Sequence, residues 1–231
     1  MDWLFEPVAP RGVPVQGEVA LYPVRRVFCV GRNYAEHARE MGNEVDREAP
    51  FYFTKSSLAV VLGDVTVPYP PGTADYHHEM ELVVAIGTAA FRVPVGQALA
   101  CVYGYAAGLD MTRRDLQAAA KDKRRPWDIG KDFENSAVIG SISPVSALGE
   151  IGPQRIALGV NGVLRQEAVL ADMVWSVPEI ISHLSTLYHL MPGDLIYTGT
   201  PAGVGAVQPG DVIEGQIDGL APVRLTVGAA E

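Results

Sequence analysis

Apolar residues fall in short runs separated by glycine and proline, the pattern of a strand-rich chain with many turns. Val27–Arg32, Phe51–Thr54, Glu79–Gly87, Tyr103–Thr112, Leu195–Thr198, Val212–Ile217 and Val223–Val227 read as strands. Asn161-Gly162 between two β-prone runs signals a tight hairpin, because both residues tolerate positive φ. Three helices are expected. Asn33 is placed to cap the first, NYAEHAREMG, with Tyr34, His37, Ala38 and Met41 on one face. Arg113–Lys121 is the second. The third runs from the capping-box pair Ser176 and Glu179 to about Tyr188. Strands dominate without the regular alternation of a doubly wound fold. The expected class is mainly β (α+β), a rolled mixed β-sheet with a few short helices. Residues 1–23 are proline-rich and read as an arm or small subdomain, with the main domain over 24–231.

With 231 residues, 48% of them hydrophobic, the chain can bury a full core. Eighteen Lys and Arg against twenty-seven Asp and Glu give a net charge of −9, which disfavours nucleic acid and anionic membrane as partners. Cys29 and Cys101 sit in apolar runs and read as small buried hydrophobes. Neither a signal peptide nor a spanning apolar run is evident, so a cytoplasmic location is expected.

The segment DYHHEMELVVAIG places Glu79 and Glu81 two apart on an apolar strand, hence on one face. Half-buried together, they call for a cation or a proton. At a solvated strand end the same pair would be unremarkable. Asp110 ends the apolar run YGYAAGLD and can supply a third oxygen ligand, or cap the following helix. Three carboxylates with room for water suit Mg²⁺ or Mn²⁺. His37 and Glu40, three apart on a helix, can form a carboxylate-oriented general base or an exposed polar face. Within KDKRRPWDIGKDF, Lys131 is the candidate site residue. In YTGTPAGVG, glycines without Gly-Lys-Ser/Thr argue against a nucleotide loop and for a turn offering backbone N–H groups and the Thr200 hydroxyl to a carboxylate. No G-x-S-x-G elbow supports a serine hydrolase, and His77 and His78 lack zinc-site spacing.

GRNYAEHARE, HHEMELVVAIG, GLDMTRRD, PWDIGKDF and GDLIYTGTPAGVG, in this order, resemble the fumarylacetoacetate hydrolase family from about Val27 to the C-terminus. The likeness is strongest to its small bacterial fumarylpyruvate hydrolases and acylpyruvases. The resemblance implies a mixed β-roll, a homodimer and a divalent cation, Mg²⁺ or Mn²⁺, on Glu79, Glu81 and Asp110. It implies a catalytic dyad of His37 and Glu40 on a mobile lid, with Lys131 stabilising charge. Arg114, Gln117, Gly199 and Thr200 match substrate-binding positions. Lys55 stands in FTKSS where many relatives have proline after the lysine, so its role is open. The implied reaction is hydrolysis of a C–C bond in a small anionic 2,4-dioxo acid, fumarylpyruvate first. The alternatives are acylpyruvate hydrolysis, oxaloacetate decarboxylation, isomerisation or hydration of a 2-oxo-enoic acid, and metal binding without catalysis. Arg113, Lys123, Arg124 and Arg125 are available for a distal anion, and sequence places none of them in a pocket.

Overall fold

The computed structural model describes residues 3–42, 47–149 and 151–230. Its largest sheet runs in the order Phe51–Lys55, Arg26–Gly31, Asp194–Tyr197, Met80–Ile86, Val102–Asp110, Ala137–Ile139 and Val60–Leu62. Arg26–Gly31 pairs in parallel with Asp194–Tyr197, as Ala137–Ile139 does with Val60–Leu62. The other neighbours along this path are antiparallel. Phe51–Lys55 and Val60–Leu62 lie at opposite ends of this order, yet the chain passes from Lys55 to Val60 in five residue steps, with four residues between them. Five residues reach about 17 Å when extended. Six strand spacings in a flat sheet would take about 29 Å. The sheet must therefore curl until its edges approach, giving the mixed roll expected from the sequence.

A second sheet, Val163–Val169, Arg155–Val160, Val212–Ile217, Val223–Ala230 and Val65–Tyr69, closes the main core. Strand 80–86 is buried on both faces, which is why its apolar run is continuous. Leu82, Val84 and Ile86 enter the main core with Ile156, Ile213 and Leu225. Val83 and Ala85 join Val27, Cys29, Ala106 and Leu195 in a second core. That second core is covered by the hairpin Gly12–Pro14 and Leu21–Pro23, through Val13 and Tyr22. Cys29 and Cys101 are buried free thiols.

Several local signals act as read. Asn161 and Gly162 take φ of 52° and 75° and join Arg155–Val160 to Val163–Val169. The Glu179 carboxylate accepts bonds from the Ser176 N–H (2.9 Å) and hydroxyl (2.7 Å) at the start of helix Val177–Leu187. Two expected strands have other bounds than those read from the sequence, one divided and one starting a residue later. The run Tyr103–Thr112 divides into Val102–Asp110 and Thr112–Arg113, and Glu79 lies between Tyr76–His78 and Met80–Ile86. Thr112–Arg113, Tyr76–His78 and Gly205–Ala206 form a small separate sheet, so both breaks mark the same change of sheet. Among the described residues no helix is long and apolar enough to cross a membrane.

Candidate active site

The two longest neighbouring strands of the roll set the carboxylates by register. Met80 pairs with Leu109 and Glu81 with Gly108. One step further the Asp110 N–H donates to the Glu79 carbonyl at 2.9 Å, so Glu79 and Asp110 are cross-strand neighbours. By strand alternation Glu79, Glu81 and Asp110 share the face of Val83 and Ala106, at the charged end of the second core. Their relative exposures are 4%, 2% and 0%, and one oxygen from each lies within 4.8 Å of the others. Opposite Glu81, a Cβ on Gly108 would meet Val83 Cγ2 at 2.5 Å and Tyr197 Cε1 at 2.9 Å. Asp110 is not a helix cap. The helix Arg114–Asp122 begins after Arg113, and Asp110 ends its strand pointing inward.

Three buried cations surround this cluster. The Lys131 ammonium donates to Glu79 Oε2, Asp110 Oδ2 and Thr112 Oγ1, each at 2.7 Å. Arg114 holds the other oxygen of Glu79 and donates to Gln117 Oε1 at 2.7 Å. Lys55 Nζ lies 2.8 Å from Asp110 Oδ1 but off its hydrogen-bonding direction, so this buried oxygen has a charged neighbour and no donor. Lys55 itself donates to the carbonyls of Met111 and Lys131. Burial alone would raise the Glu79 carboxyl, but Lys131 and Arg114 hold it well below the usual carboxylate range. Glu81 goes the other way, pushed well above that range by burial and by Asp110 and Glu79. Its Oε2 accepts the Gly199 N–H at 2.8 Å. Burial opposes the charge on Lys131, and the Asp110 and Glu79 carboxylates outweigh it and raise its pKa.

This donor set fits a small hard cation. An octahedral ion with ligand distances near 2.1 Å separates its oxygens by about 3–4 Å, which suits the observed cluster. A divalent ion would also replace the proton that burial and repulsion keep on Glu81, and would engage the undonated Asp110 oxygen. Among the described residues this is the group of acidic, histidine or cysteine side chains that could hold a metal. His77 bonds Asp75 at 2.8 Å and His78 faces Gln166 at 3.0 Å, both apart from it.

His37 and Glu40 lie on the helix Ala35–Glu40, His37 lining the same cleft, with its Nδ1 at 3.2 Å from Glu40 Oε2. The Glu40 carboxylate also accepts the Gly203 N–H at 3.1 and 3.2 Å, so the dyad is tied to the 199–205 turn. A carboxylate on Nδ1 favours the proton there and leaves Nε2 as acceptor. Burial lowers the His37 pKa, partly offset by Glu79 and Glu40, which keeps the imidazole neutral near pH 7. Asn33 is not the cap of this helix: Tyr34 occupies that position, without a side-chain cap. Fully buried, the Asn33 amide must satisfy its own polar atoms. It donates to the carbonyls of Trp175 (2.9 Å) and Thr198 (2.8 Å) and accepts the Trp175 N–H (2.7 Å).

Gly199 has φ of 99°, and a Cβ there would lie 2.7 Å from Asn33 Cβ. Thr200 Oγ1 accepts from Gln166 Nε2 at 2.8 Å, which leaves the hydroxyl proton to donate into the cleft. Gln166 also donates to the Pro201 carbonyl and accepts the Met80 N–H, joining the turn to the carboxylate strand. Gly199→Ala is expected to cost about 1–3 kcal/mol through strain and to disturb the N–H that Glu81 accepts. Thermal melts with and without Mn²⁺ check this; an unchanged melting temperature and an unchanged Mn²⁺ shift would refute it.

The cleft encloses about 430 Å³, its open mouth included. Its walls bring together His37, Glu79, Glu81, Asp110, Lys131 and Thr200, with Arg114 and Gln117 beside them. Glu40 and Gly199 stand directly behind, bonded to His37 and Glu81. Lys55, Gln166 and the Asn33 clamp were not assigned by sequence reasoning. A lysine closing the apolar strand FYFTK was a faint sign of the first; the other two carry no local signal.

The sequence profile described as "Fumarylacetoacetate (FAA) hydrolase C-terminal" matches residues 26–228. A fumarylpyruvate hydrolase from Ralstonia sp is 55% identical over 193 residues, covering 83% of this chain and 100% of the relative. Rat mitochondrial oxaloacetate tautomerase FAHD1 is 42% identical, covering 88% of this chain and 91% of the relative. In three dimensions the chain is similar to fumarylpyruvate hydrolase from Pseudomonas aeruginosa, solved in complex with Mn²⁺ and pyruvate. The TM-score is 0.95 at 48% identity, with 99% of this chain and 100% of the other covered.

Proposed function

Because the chain belongs to the fumarylacetoacetate hydrolase family, we propose that it is a metal-dependent hydrolase cleaving the C3–C4 bond of a 2,4-dioxo acid, fumarylpyruvate before others. The observation that carries this reading is one cleft lined both by a cation-ready carboxylate cluster and by a carboxylate-oriented histidine. The Ralstonia and Pseudomonas relatives supply the substrate class.

Glu79, Glu81 and Asp110 would hold Mg²⁺ or Mn²⁺. When bound, the cation supplies Lewis acidity, lowering the energy of negative charge on the oxygens of a 2-oxo acid. Lys55, Lys131 and Arg114 formally balance the three carboxylates, so a dication leaves the site net positive inside a chain of net charge −9. An anionic substrate is thereby drawn to this site. Arg114, Gln117, the Thr200 hydroxyl and the turn at Gly199 hold its oxygens.

His37 Nε2 takes a proton from water as the water oxygen attacks C4. Glu40 orients the ring and stabilises the imidazolium that forms. Lys131 stabilises the oxyanion at C4. The C3–C4 electron pair then moves to C3, giving the enolate of pyruvate and the distal carboxylic acid, and a proton returned to C3 completes the balance. Covering of the cleft by the dyad helix would exclude competing water. A homodimer belongs to this reading through the family resemblance. A cytoplasmic setting is supported by two buried thiols that need no oxidising compartment.

An absorbance assay with Mn²⁺ across fumarylpyruvate, acetylpyruvate and oxaloacetate tests the reaction. Loss of the dioxo-enol band with release of pyruvate is expected. Turnover of oxaloacetate alone would replace hydrolysis with the second reading, enolate chemistry on oxaloacetate, which the 42% identical tautomerase favours. With saturating Mn²⁺, kcat/KM should rise through an acid limb whose midpoint lies below 6.5, because burial lowers the His37 pKa from that value. A midpoint above 6.5 would remove His37 as the base.

A further inference from the structure

The cluster and dyad grip features shared by every 2-oxo acid, but the outer wall of the same cleft carries two cations, Arg32 and Lys121. Neither has an ion pair among the described residues. On the helix Arg114–Asp122, Arg114, Gln117 and Lys121 follow one another at three and four residues, so they share a face. Arg114 is engaged with Glu79, Gln117 is bonded to Arg114, and Lys121 stands furthest out. Seven residues of helix advance about 10 Å from Arg114 to Lys121. An extended seven-carbon diacid separates its carboxyl carbons by roughly 8 Å.

The Lys121 ammonium is set over the Trp127 ring at 4.6 Å. Burial, with the nearby charges of Arg114 and Arg32, brings its pKa down to about 8. Two cations thus line the cleft, each acting on the other and neither in an ion pair among the described residues, in a strongly acidic protein, with the Glu79 carboxylate as an opposing charge near Lys121. Arg32 holds φ of 58°, an uncommon conformation for a residue with a side chain, directly after Gly31. The four cations left open by the sequence are elsewhere. Arg113 lies over the Phe133 ring at 4.1 Å, and Lys123, Arg124 and Arg125 are exposed outside the cleft.

We propose that Arg32 and Lys121 form the subsite that binds the distal carboxylate of the proposed seven-carbon dioxo diacid, and that this pair sets its preference over 2-oxo acids without a distal carboxylate. This inference rests on the hydrolase reading for its orientation, with the 2-oxo acid head at the carboxylate cluster. A carboxylate between the two cations would form charge-assisted hydrogen bonds with both and relieve their repulsion.

The test is calorimetric binding of 2-oxoheptanedioate and 2-oxoheptanoate to the Mn²⁺-loaded protein. These ligands differ only in the terminal group and have no C4 carbonyl to hydrolyse. The diacid is expected to bind about tenfold tighter or more, the scale of one added charge pair. Arg32→Met and Lys121→Met should each lower that ratio about fivefold or more, and Lys121→Arg should retain it. Equal affinities in the wild type, a ratio unchanged in both methionine variants, or equal losses for the two ligands would overturn the subsite. If the ratio behaves as stated while fumarylpyruvate is not turned over, the hydrolase reading fails and the subsite stands.

Discussion

Glu81→Gln is expected to abolish Mg²⁺ and Mn²⁺ binding, and with it turnover, while leaving the metal-free protein at least as stable as the wild type. Glutamine has the shape of the protonated Glu81 that burial, Asp110 and Glu79 favour, and its amide oxygen can keep the bond from the Gly199 N–H. The sign follows from linkage. The folded pKa of Glu81 lies above its unfolded value of 4.5, so the associated stability is present below 4.5 and is lost as pH rises through the folded pKa. The variant lacks that group and that loss. It also lacks a third anionic ligand, leaving Glu79 and Asp110, both already bonded by Lys131. Mn²⁺ at a hundredfold its Kd should stabilise the wild type by about 2.7 kcal/mol and the variant by nothing. Calorimetric Mn²⁺ affinity within a few-fold of wild type would eliminate Glu81 as a ligand.

His37→Ala should reduce kcat on fumarylpyruvate by about 10²–10⁴-fold, the range for removing a positioned general base. Mn²⁺ affinity should be unchanged, because His37 is outside the group of side chains that could hold the ion and bonds Glu40 instead. The pairing of those two measurements is informative: a lost base separates turnover from cation binding, whereas a collapsed site would lose both together. Turnover within threefold of wild type would take His37 out of the mechanism. The Glu40 carboxylate, held by the Gly203 N–H, explains how the ring stays oriented in the absence of substrate.

The features legible in the sequence are those written by neighbouring residues. Two glutamates two apart on a strand must share a face. Asn161-Gly162 must turn, and Ser176 with Glu179 must start a helix. His37 and Glu40, three apart on one helix, meet as expected. Each follows from backbone geometry within a single element, so no knowledge of the rest of the chain is needed. The five ordered motifs added what no element carries alone, the family and hence the roll.

Where local chemistry offered two outcomes, only the assembled chain could choose. Asp110 had equal claim to be a ligand or a cap until the register set it beside Glu79. Asn33 looked like a cap, but its burial beside Trp175 and Thr198 makes it a clamp. Lys55 reaches the cluster because the sheet curls its far edge back, a property of seven strands together.

The sequence by itself determined the strand-rich class, the shared face of Glu79 and Glu81, and the family, which in turn implied the pairing of His37 with Glu40. The tertiary structure decided that Asp110 completes the cluster, that Lys55, Lys131 and Arg114 neutralise it, and that Arg32 and Lys121 face the cleft instead of the basic run at 123–125. The physical reason is range: strand alternation and helix periodicity act over a few residues, whereas charges meet across sheets according to register and curl, which depend on the packing of the whole chain.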